Sequence, residues 1–245
     1  MTTIRHSLII PAYNEAALLP RLLHTVQAAR SQYKFGPDAI EVIVADNDST
    51  DATPHLAAAE GCRVVHVTRR VIAAARNGGA QAAQGEILSF VDADSRIHPQ
   101  TFDAIDAAFA SPKVVGGATG VRLERWSPGL ALTYLLIVPM VILTGMDTGV
   151  VFCRRADFKT IGGYDEEREL GEDVAFLWAL RKLGARRGQK LKRLRQVKAI
   201  ASTRKFDRHG DWHYFTQVIP GSIPALFRRS ARTELARRYW YTDDR

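Results

Sequence analysis

Four short β-branched runs, each followed by a helical pattern, constrain this chain more than any other feature. They are SLIIP (7–11), IEVIVAD (40–46), CRVVHV (62–67) and EILSFV (86–91). After the first run, Leu18, Leu22, Leu23 and Val26 recur at helical spacing. After the second, Asp51 and Thr53 are placed to cap a helix with Pro54 in its first turn. After the third comes an alanine-rich helical segment, 71–84, in which Gly78 and Gly79 are expected to interrupt or weaken the helix. Strands and helices alternating at this spacing imply βαβ units and a mostly parallel sheet covered on both faces. The expected fold is therefore an α/β three-layer sandwich.

In such sheets ligands bind beyond the carboxyl ends of the strands. Polar clusters fall at three of these ends: Tyr13-Asn14-Glu15, Asp46-Asn47-Asp48-Ser49 and Asp92-Ala93-Asp94. If the chain stays extended through Asp94, Asp92 and Asp94 point to one side. Hard oxygen ligands of this kind suit Mg²⁺ or Mn²⁺ together with phosphate oxygens. Asp46 either accepts hydrogen bonds from a base or ribose, or helps Asp48 and Ser49 to shape a turn.

The second half is less regular. A helix opened by Pro99 (99–110) precedes a strand-like stretch, KVVGGATGVRLE, and GVVFCRR (149–155) resembles a further strand. Between them Leu130–Thr144 carries no charge. It is shorter than the roughly 20 residues that span a bilayer, and Pro139 interrupts it, so it reads as a buried helix pair, a helix-loop, or an apolar surface facing lipid. GEDVAFLWALRKLG (171–184) reads as an amphipathic helix with Val174, Leu177, Leu180 and Leu183 near one face. Glu172 and Asp173 at its start suit the helix dipole, and equally suit a general base.

Length and composition exclude disorder and fibrous classes: 245 residues, 46% hydrophobic and 24% charged, are those of a folded globular protein. Cys62 and Cys153 lack metal or redox spacing and read as reduced core residues, and the apolar run before Pro11 is too short for a signal-peptide core, so a cytoplasmic location is expected. Residues 181–245 hold 18 Lys and Arg against 5 Asp and Glu, whereas the rest of the chain is net acidic. So basic a final quarter suits an anionic partner.

Taken in order, IIPAYNE, VIVADNDSTDAT, AAARNGGAQAAQGEILSFVDAD, IGGYDE and GEDVAFLWALRKLG resemble glycosyltransferase family 2 over roughly residues 7–185. The resemblance implies a GT-A, Rossmann-like fold and a metal-dependent, inverting transfer of sugar from a nucleoside diphosphate donor, UDP foremost, to a saccharide, lipid-linked or other hydroxyl. It implies one domain over 1–245, with a nucleotide-binding half (1–95), an acceptor half (96–204) and a basic helical extension (205–245). Pro11, Tyr13 and Glu15 match the nucleoside pocket, and Asp46 the acid that contacts the base. Asn47-Asp48 stands where Asp-Gly is more usual. Arg76 matches an arginine near the base or diphosphate; Asp94 matches the metal ligand, with Asp92 nearer the ribose. Gly162, Gly163, Tyr164 and Asp165 match a segment beside the donor sugar and acceptor, Asp173 the catalytic base, and Glu172 its neighbour at the acceptor.

In the tail, Arg204 is a candidate diphosphate contact, and His209 either joins the metal shell or is an exposed loop histidine. Arg228-Arg229 and Arg237-Arg238, beside Phe227 and Tyr239-Trp240-Tyr241, suit a membrane interface, a solvated helix face or an oligomer contact. Two other classes compete. A sugar nucleotidyltransferase would carry a glycine-rich loop after the first strand, absent from PAYNE. A nucleic-acid or membrane-binding module would use the basic tail, but three acidic strand ends repel a polyanion, so no nucleic acid is expected.

Overall fold

The computed structural model describes residues 3–144, 146–168, 171–212 and 215–216. The chain divides into two compact units, Met1–Arg122 with Gly145–Ala201, and Leu123–Thr144 with Ser202–Arg245.

The first unit is built on a seven-stranded sheet. In chain order its strands are β1 (His6–Ala12), β2 (Ile40–Asp46), β3 (Arg63–His66), β4 (Ile87–Phe90), β5 (Val114–Leu123), β6 (Val151–Arg154) and β7 (Lys190–Ala201). Across the sheet they run β3-β2-β1-β4-β6-β5-β7. Strands β3, β2, β1 and β4 are parallel neighbours, and β6 pairs antiparallel with both β4 and β5. The order steps outward from β1 to β3 and then returns to place β4 on the other side of β1. That reversal is the switch point at which ligands bind in open α/β sheets.

Alternation along each strand feeds two cores. Leu8, Ile10, Val42, Val44 and Phe152 point to one face, where they meet α1 (Leu19–Ser31), α2 (Thr53–Ala59) and α4 (Thr101–Phe109). Ile9, Ile43, Leu88, Phe90 and Cys153 point to the other, against α3 (Ile72–Ala82), α6 (Arg155–Ile161) and α7 (Glu172–Arg186). All seven residues of β1 are buried, as expected for a central parallel strand covered on both sides. The helix–sheet–helix sandwich is thus the one expected from the pattern.

Four details depart from expectation. Helix α3 runs unbroken through Gly78 and Gly79. These glycines do not interrupt it; they let it lie close to the sheet. A Cβ on Gly79 would stand 2.5 Å from Ile9 Cγ2, and one on Gly78 2.6 Å from Val67 Cγ2. Helix α4 starts at Thr101, two residues after Pro99. On α7 the buried stripe is Phe176, Leu177, Leu180 and Gly184, while Val174 is exposed. Strand β7, KLKRLRQVKAIA, has no counterpart in the sequence reading. It is an edge strand whose buried Leu194, Val197 and Ala199 are separated by exposed or half-buried residues, several of them Lys and Arg.

In the second unit the apolar stretch forms one helix, α5 (Pro128–Thr144), with Pro139 inside it, instead of a helix pair. Leu132, Leu135 and Leu136 on it are exposed. The short α8 (Arg204–His209) belongs to the same unit, where Arg125 pairs with Asp207 and Asp211 at 2.7 and 2.6 Å. Phe227 and the arginine pairs beyond it lie outside the described residues. Among the described residues no helix is long and apolar enough to cross a membrane.

Candidate active site

The carboxyl ends of β2, β1 and β4 lie along one edge of the first unit, because the register sets Asp46 level with Ala12 and Phe90 level with Ile9. At the β2 end, Asp46 is 3% exposed. Its Oδ1 accepts the Ser49 amide at 3.3 Å, and its Oδ2 lies 3.1 Å from His66 Nδ1 at the end of β3. Asp48 takes the left-handed φ of 68°. Aspartate tolerates that conformation better than most residues, so the turn keeps its shape without Gly. Asn47 continues it by donating from Nδ2 to the carbonyls of Val67 and Arg69.

At the β1 end, Pro11 is buried within the strand and Tyr13 is half-buried, its ring 4.1 Å below the Arg70 guanidinium. Glu15 is buried, and its amide donates to Thr53 Oγ1 at 2.8 Å. Asn14, also left-handed at φ 51°, exchanges hydrogen bonds with Thr50. The first strand end is thereby laced to the loop after β2.

After β4 the chain turns at once: the Ser95 amide donates to the Asp92 carbonyl at 3.0 Å. The segment is not extended through Asp94, so the same-side argument for Asp92 and Asp94 fails. Asp92 instead accepts from Arg76 Nη2 at 2.8 Å, and Asp94 lies half-buried in the turn.

Arg76 organises the centre. Its side chain is 3% exposed, on the α3 face that meets the sheet. Nη1 donates to Glu172 Oε1 at 2.7 Å and lies 3.0 Å from Asp173 Oδ1; Nη2 holds Asp92. Its Nε is buried without a hydrogen-bond partner, so its hydrogen bonds come from the two terminal nitrogens, while the guanidinium packs 5.1 Å from the Tyr164 ring centroid. One guanidinium thus faces three carboxylates, joining α3, the β4 turn and the first turn of α7.

That imbalance sets the protonation of Asp173. Burial pushes its pKa up; Arg76 opposes this, and Glu172 and Asp92 push it further, to about 7. A hydrogen bond donated by Tyr164 Oη at 3.2 Å pulls the other way. Tyr164 is 2% exposed and stacks on Phe176 with centroids 4.2 Å apart. Asp165 is exposed on the same loop, and Gly162 and Gly163 precede it at positive φ. A carboxyl that titrates near neutrality beside a fixed cation has the property required of a general base.

Asp46, Arg76, Asp92, Glu172 and Asp173 therefore gather along one edge of the sheet, as do Pro11, Tyr13 and Glu15. Arg204 and His209 lie on α8 of the second unit. Two participants were missed from the sequence. His66 touches Asp46, and Asn77 is buried against the backbone of Tyr164, donating to its carbonyl at 2.9 Å and accepting its amide at 2.8 Å. An Arg-Asn pair inside an alanine-rich helix was the available signal for Asn77; nothing local marked His66.

Residues 7–165 match the model of glycosyl transferase family 2. A validoxylamine A glucosyltransferase from Streptomyces hygroscopicus subsp. limoneus is 36% identical over 120 residues, 45% of this chain and 26% of that protein. A pre-mycofactocin glycosyltransferase from Mycobacterium tuberculosis is 25% identical over 197 residues, 74% of this chain and 40% of its own. The chain thus spans well under half the length of these relatives. Among solved structures, the Pyrobaculum calidifontis mannosyltransferase in complex with GDP-Man and Mn²⁺ superposes with a TM-score of 0.63 at 21% identity, covering 80% of this chain and 56% of that one. S. aureus TarS 1–349 in complex with UDP-GlcNAc gives 0.61 at 20% identity, covering 81% and 58%. These structures share the α/β sandwich with its mostly parallel central sheet. With the family model matching well over half of its length, the chain belongs to glycosyltransferase family 2.

Proposed function

We propose that this chain transfers a sugar, with inversion, from a nucleoside diphosphate donor to an acceptor hydroxyl, with Asp173 as the base. The observation that carries the reading is the Arg76 cluster, in which Asp173 titrates at about 7 between a cation and two further acids. At neutral pH a large share of Asp173 is ionised and able to take a proton, and a base whose pKa lies near the working pH is the most effective one. With one base on the attacking side, displacement at the anomeric carbon inverts it, so an α-linked donor gives a β-linked product. Arg76 keeps the carboxylate oriented and screens it from Glu172 and Asp92. Glu172, on the preceding residue, is placed to hold the acceptor.

The buried carboxylate of Asp46 accepts a hydrogen bond from an imino N–H of the base, in keeping with uracil. Solved structures of this fold carry UDP-GlcNAc, GDP-Man with Mn²⁺, or UDP-Glc with Mn²⁺. Among the described residues no three His, Cys, Asp or Glu side chains gather to hold a metal unaided. The donor set nevertheless fits a hard cation that brings most of its ligands with it: Mg²⁺ usually takes one or two carboxylates and completes its shell with phosphate oxygens and water. Asp94 would hold Mg²⁺ or Mn²⁺, which when bound offsets the charge that develops on the departing diphosphate. Asp92, kept by Arg76, faces the ribose. Asp165, Tyr164 and Gly163 belong to the loop that borders the sugar and acceptor.

A lipid-linked or otherwise apolar acceptor, met at a membrane surface, is favoured by the exposed leucines of α5. It is favoured also by 35% identity over 128 residues to an undecaprenyl-phosphate 4-deoxy-4-formamido-L-arabinose transferase of Aeromonas hydrophila. A panel of nucleotide sugars with Mn²⁺ or Mg²⁺, scored by release of nucleoside diphosphate, tests the reading. Asp173→Asn is expected to abolish transfer and leave donor binding intact, and Asp94→Ala to weaken metal-dependent donor binding. Wild-type transfer by Asp173→Asn would show that the base is elsewhere.

A further inference from the structure

Asn77 is nearly as buried as Arg76, yet it contacts neither Asp173 nor the strand ends through any hydrogen bond described above. Its amide uses three of its four hydrogen-bonding capacities on one loop. Oδ1 accepts the Tyr164 amide at 2.8 Å; Nδ2 donates to the Tyr164 carbonyl at 2.9 Å and to Glu166 Oε1 at 2.8 Å. Only a neutral amide offers an acceptor and two donors from so short a side chain. The loop comes close enough because residue 163 is glycine. Its φ is +75°, and a Cβ there would stand 2.7 Å from Asn77 Oδ1 and 3.0 Å from the Phe158 ring.

The same loop is held again one residue on. Arg69 donates to Glu166 Oε2 at 2.9 Å and to Glu167 Oε1 at 2.6 Å, and the Arg69 carbonyl accepts from Asn47 Nδ2 beside Asp46. Tyr164 therefore has its backbone pinned by α3, and its ring clamped between Phe176 and Phe90. Its hydroxyl reaches Asp173 Oδ1 at 3.2 Å. A phenol that must meet a carboxylate at that range needs its backbone fixed to a fraction of an ångström.

We infer that Asn77 is a positioning residue for the base: it docks the backbone of Tyr164 so that the phenol hydroxyl orients Asp173. Adjacent residues of α3 then divide the work, Arg76 supplying charge and Asn77 supplying geometry. The inference rests on Asp173 being the base, and it adds a second hold on that base, acting through the loop.

The groups facing Asp173 are Arg76 from α3, Glu172 from its own helix, Asp92 from the β4 turn and Tyr164 from the loop. A hydrogen bond donated to a carboxylate favours its ionised form, so loss of the Tyr164 hydroxyl raises the midpoint of Asp173. The test is a ¹³C NMR titration of aspartate-labelled protein, with the Asp173 carboxyl assigned as the resonance lost in Asp173→Asn; no substrate is needed. Tyr164→Phe is expected to move the midpoint upward by roughly one unit. Asn77→Ala is expected to move it the same way, and the double variant no further, because both act on one contact.

An unmoved midpoint in Tyr164→Phe overturns the inference whatever Asn77→Ala does. A lower melting temperature in Asn77→Ala with the wild-type midpoint also overturns it, since that is the outcome of a merely structural role. Should Asn77→Ala not fold, Asn77→Asp keeps the acceptor for the Tyr164 amide and loses both donors. Its midpoint is then compared with that of Asn77→Asp/Tyr164→Phe, and a further rise on removing the hydroxyl argues against a shared route. If Asp173→Asn retains transfer, the choice of base has failed instead; if that variant is inactive while the midpoints stay put, only the Asn77 inference falls.

Discussion

Two aspartates at opposite ends of the same sheet, one buried and one half-buried, show opposite behaviour. Asp106, on α4 beside the amino end of β1, is 5% exposed and receives Arg5 Nε at 2.8 Å, Tyr33 Oη at 2.7 Å and His6 Nε2 at 3.2 Å. Burial pushes its pKa up, but the hydrogen bonds from His6, Tyr33 and Arg5 outweigh it and hold the carboxyl well below the usual carboxylate range. Asp173, at the carboxyl edge, has one shared cation and two acidic neighbours, and rises to about 7. Burial acts in the same direction on both; the ratio of donors to competing acids decides the outcome. The amino end stabilises its charge, and the carboxyl end keeps one poised to change.

The contrast can be broken by several experiments. The largest expected effect is on catalysis: Asp173→Asn lowers kcat by about 10²–10⁴-fold, whereas Asp106→Asn leaves the kcat of the folded fraction unchanged in the nucleotide-release assay. Equal losses in both would erase the distinction. The pH profile comes next. If Asp173 is the base, kcat/KM falls on the acid side with a midpoint at about 7; a midpoint near 4, the ordinary carboxylate value, would separate Asp173 from the reaction.

Stability should move in opposite directions. The Asp106 pKa is depressed by folding, so its contribution is present above its unfolded value and is lost as pH falls through the folded one. Asp106→Asn is expected to cost about 2 kcal/mol at pH 7, shrinking in acid. The Asp173 pKa is raised by folding, so its contribution is full below the unfolded value and lost as pH rises through about 7. Asp173→Asn should therefore stabilise the protein at pH 8, by about 2 kcal/mol, and hardly at pH 4. Urea unfolding at the two pH values reads both signs, and a destabilised Asp173→Asn at pH 8 would contradict the raised pKa. The last effect concerns what brings α3 to the sheet. Gly79→Ala should cost about 1–3 kcal/mol, because its Cβ meets the branched Ile9 side chain in a packed core.

Much of this architecture was legible without coordinates. β1, β2 and β4 are mostly apolar runs, broken only by His6, Ser7, Glu41 and Ser89, because parallel strands are covered on both faces, and polar clusters stand out at or just beyond their ends. Asp46 and Asp92 could be named on that basis; Glu172 and Asp173, at the start of a helix, took their roles only from the family resemblance. β7 was hidden because an edge strand buries few of its residues, and its Lys and Arg read as a solvated charge run. Gly78 and Gly79 misled because helix propensity weighs glycine against isolated helix formation, while here the helix is held down by contact with Ile9 and Val67.

What local order determines is the alternation of elements and which residue types stand at the strand ends, since burial on two faces and the turn out of the sheet are written into adjacent residues. What tertiary structure decides is who faces whom. Arg76 meets Asp92 after 16 residues of chain but Glu172 only after 96, and Asn77 reaches Tyr164 across 87. Whether a carboxyl becomes a stabilised charge like Asp106 or a titrating group like Asp173 depends on donors and acids delivered by several elements at once. Charges a few ångströms apart in a buried site interact through space, and sequence separation carries no record of that distance.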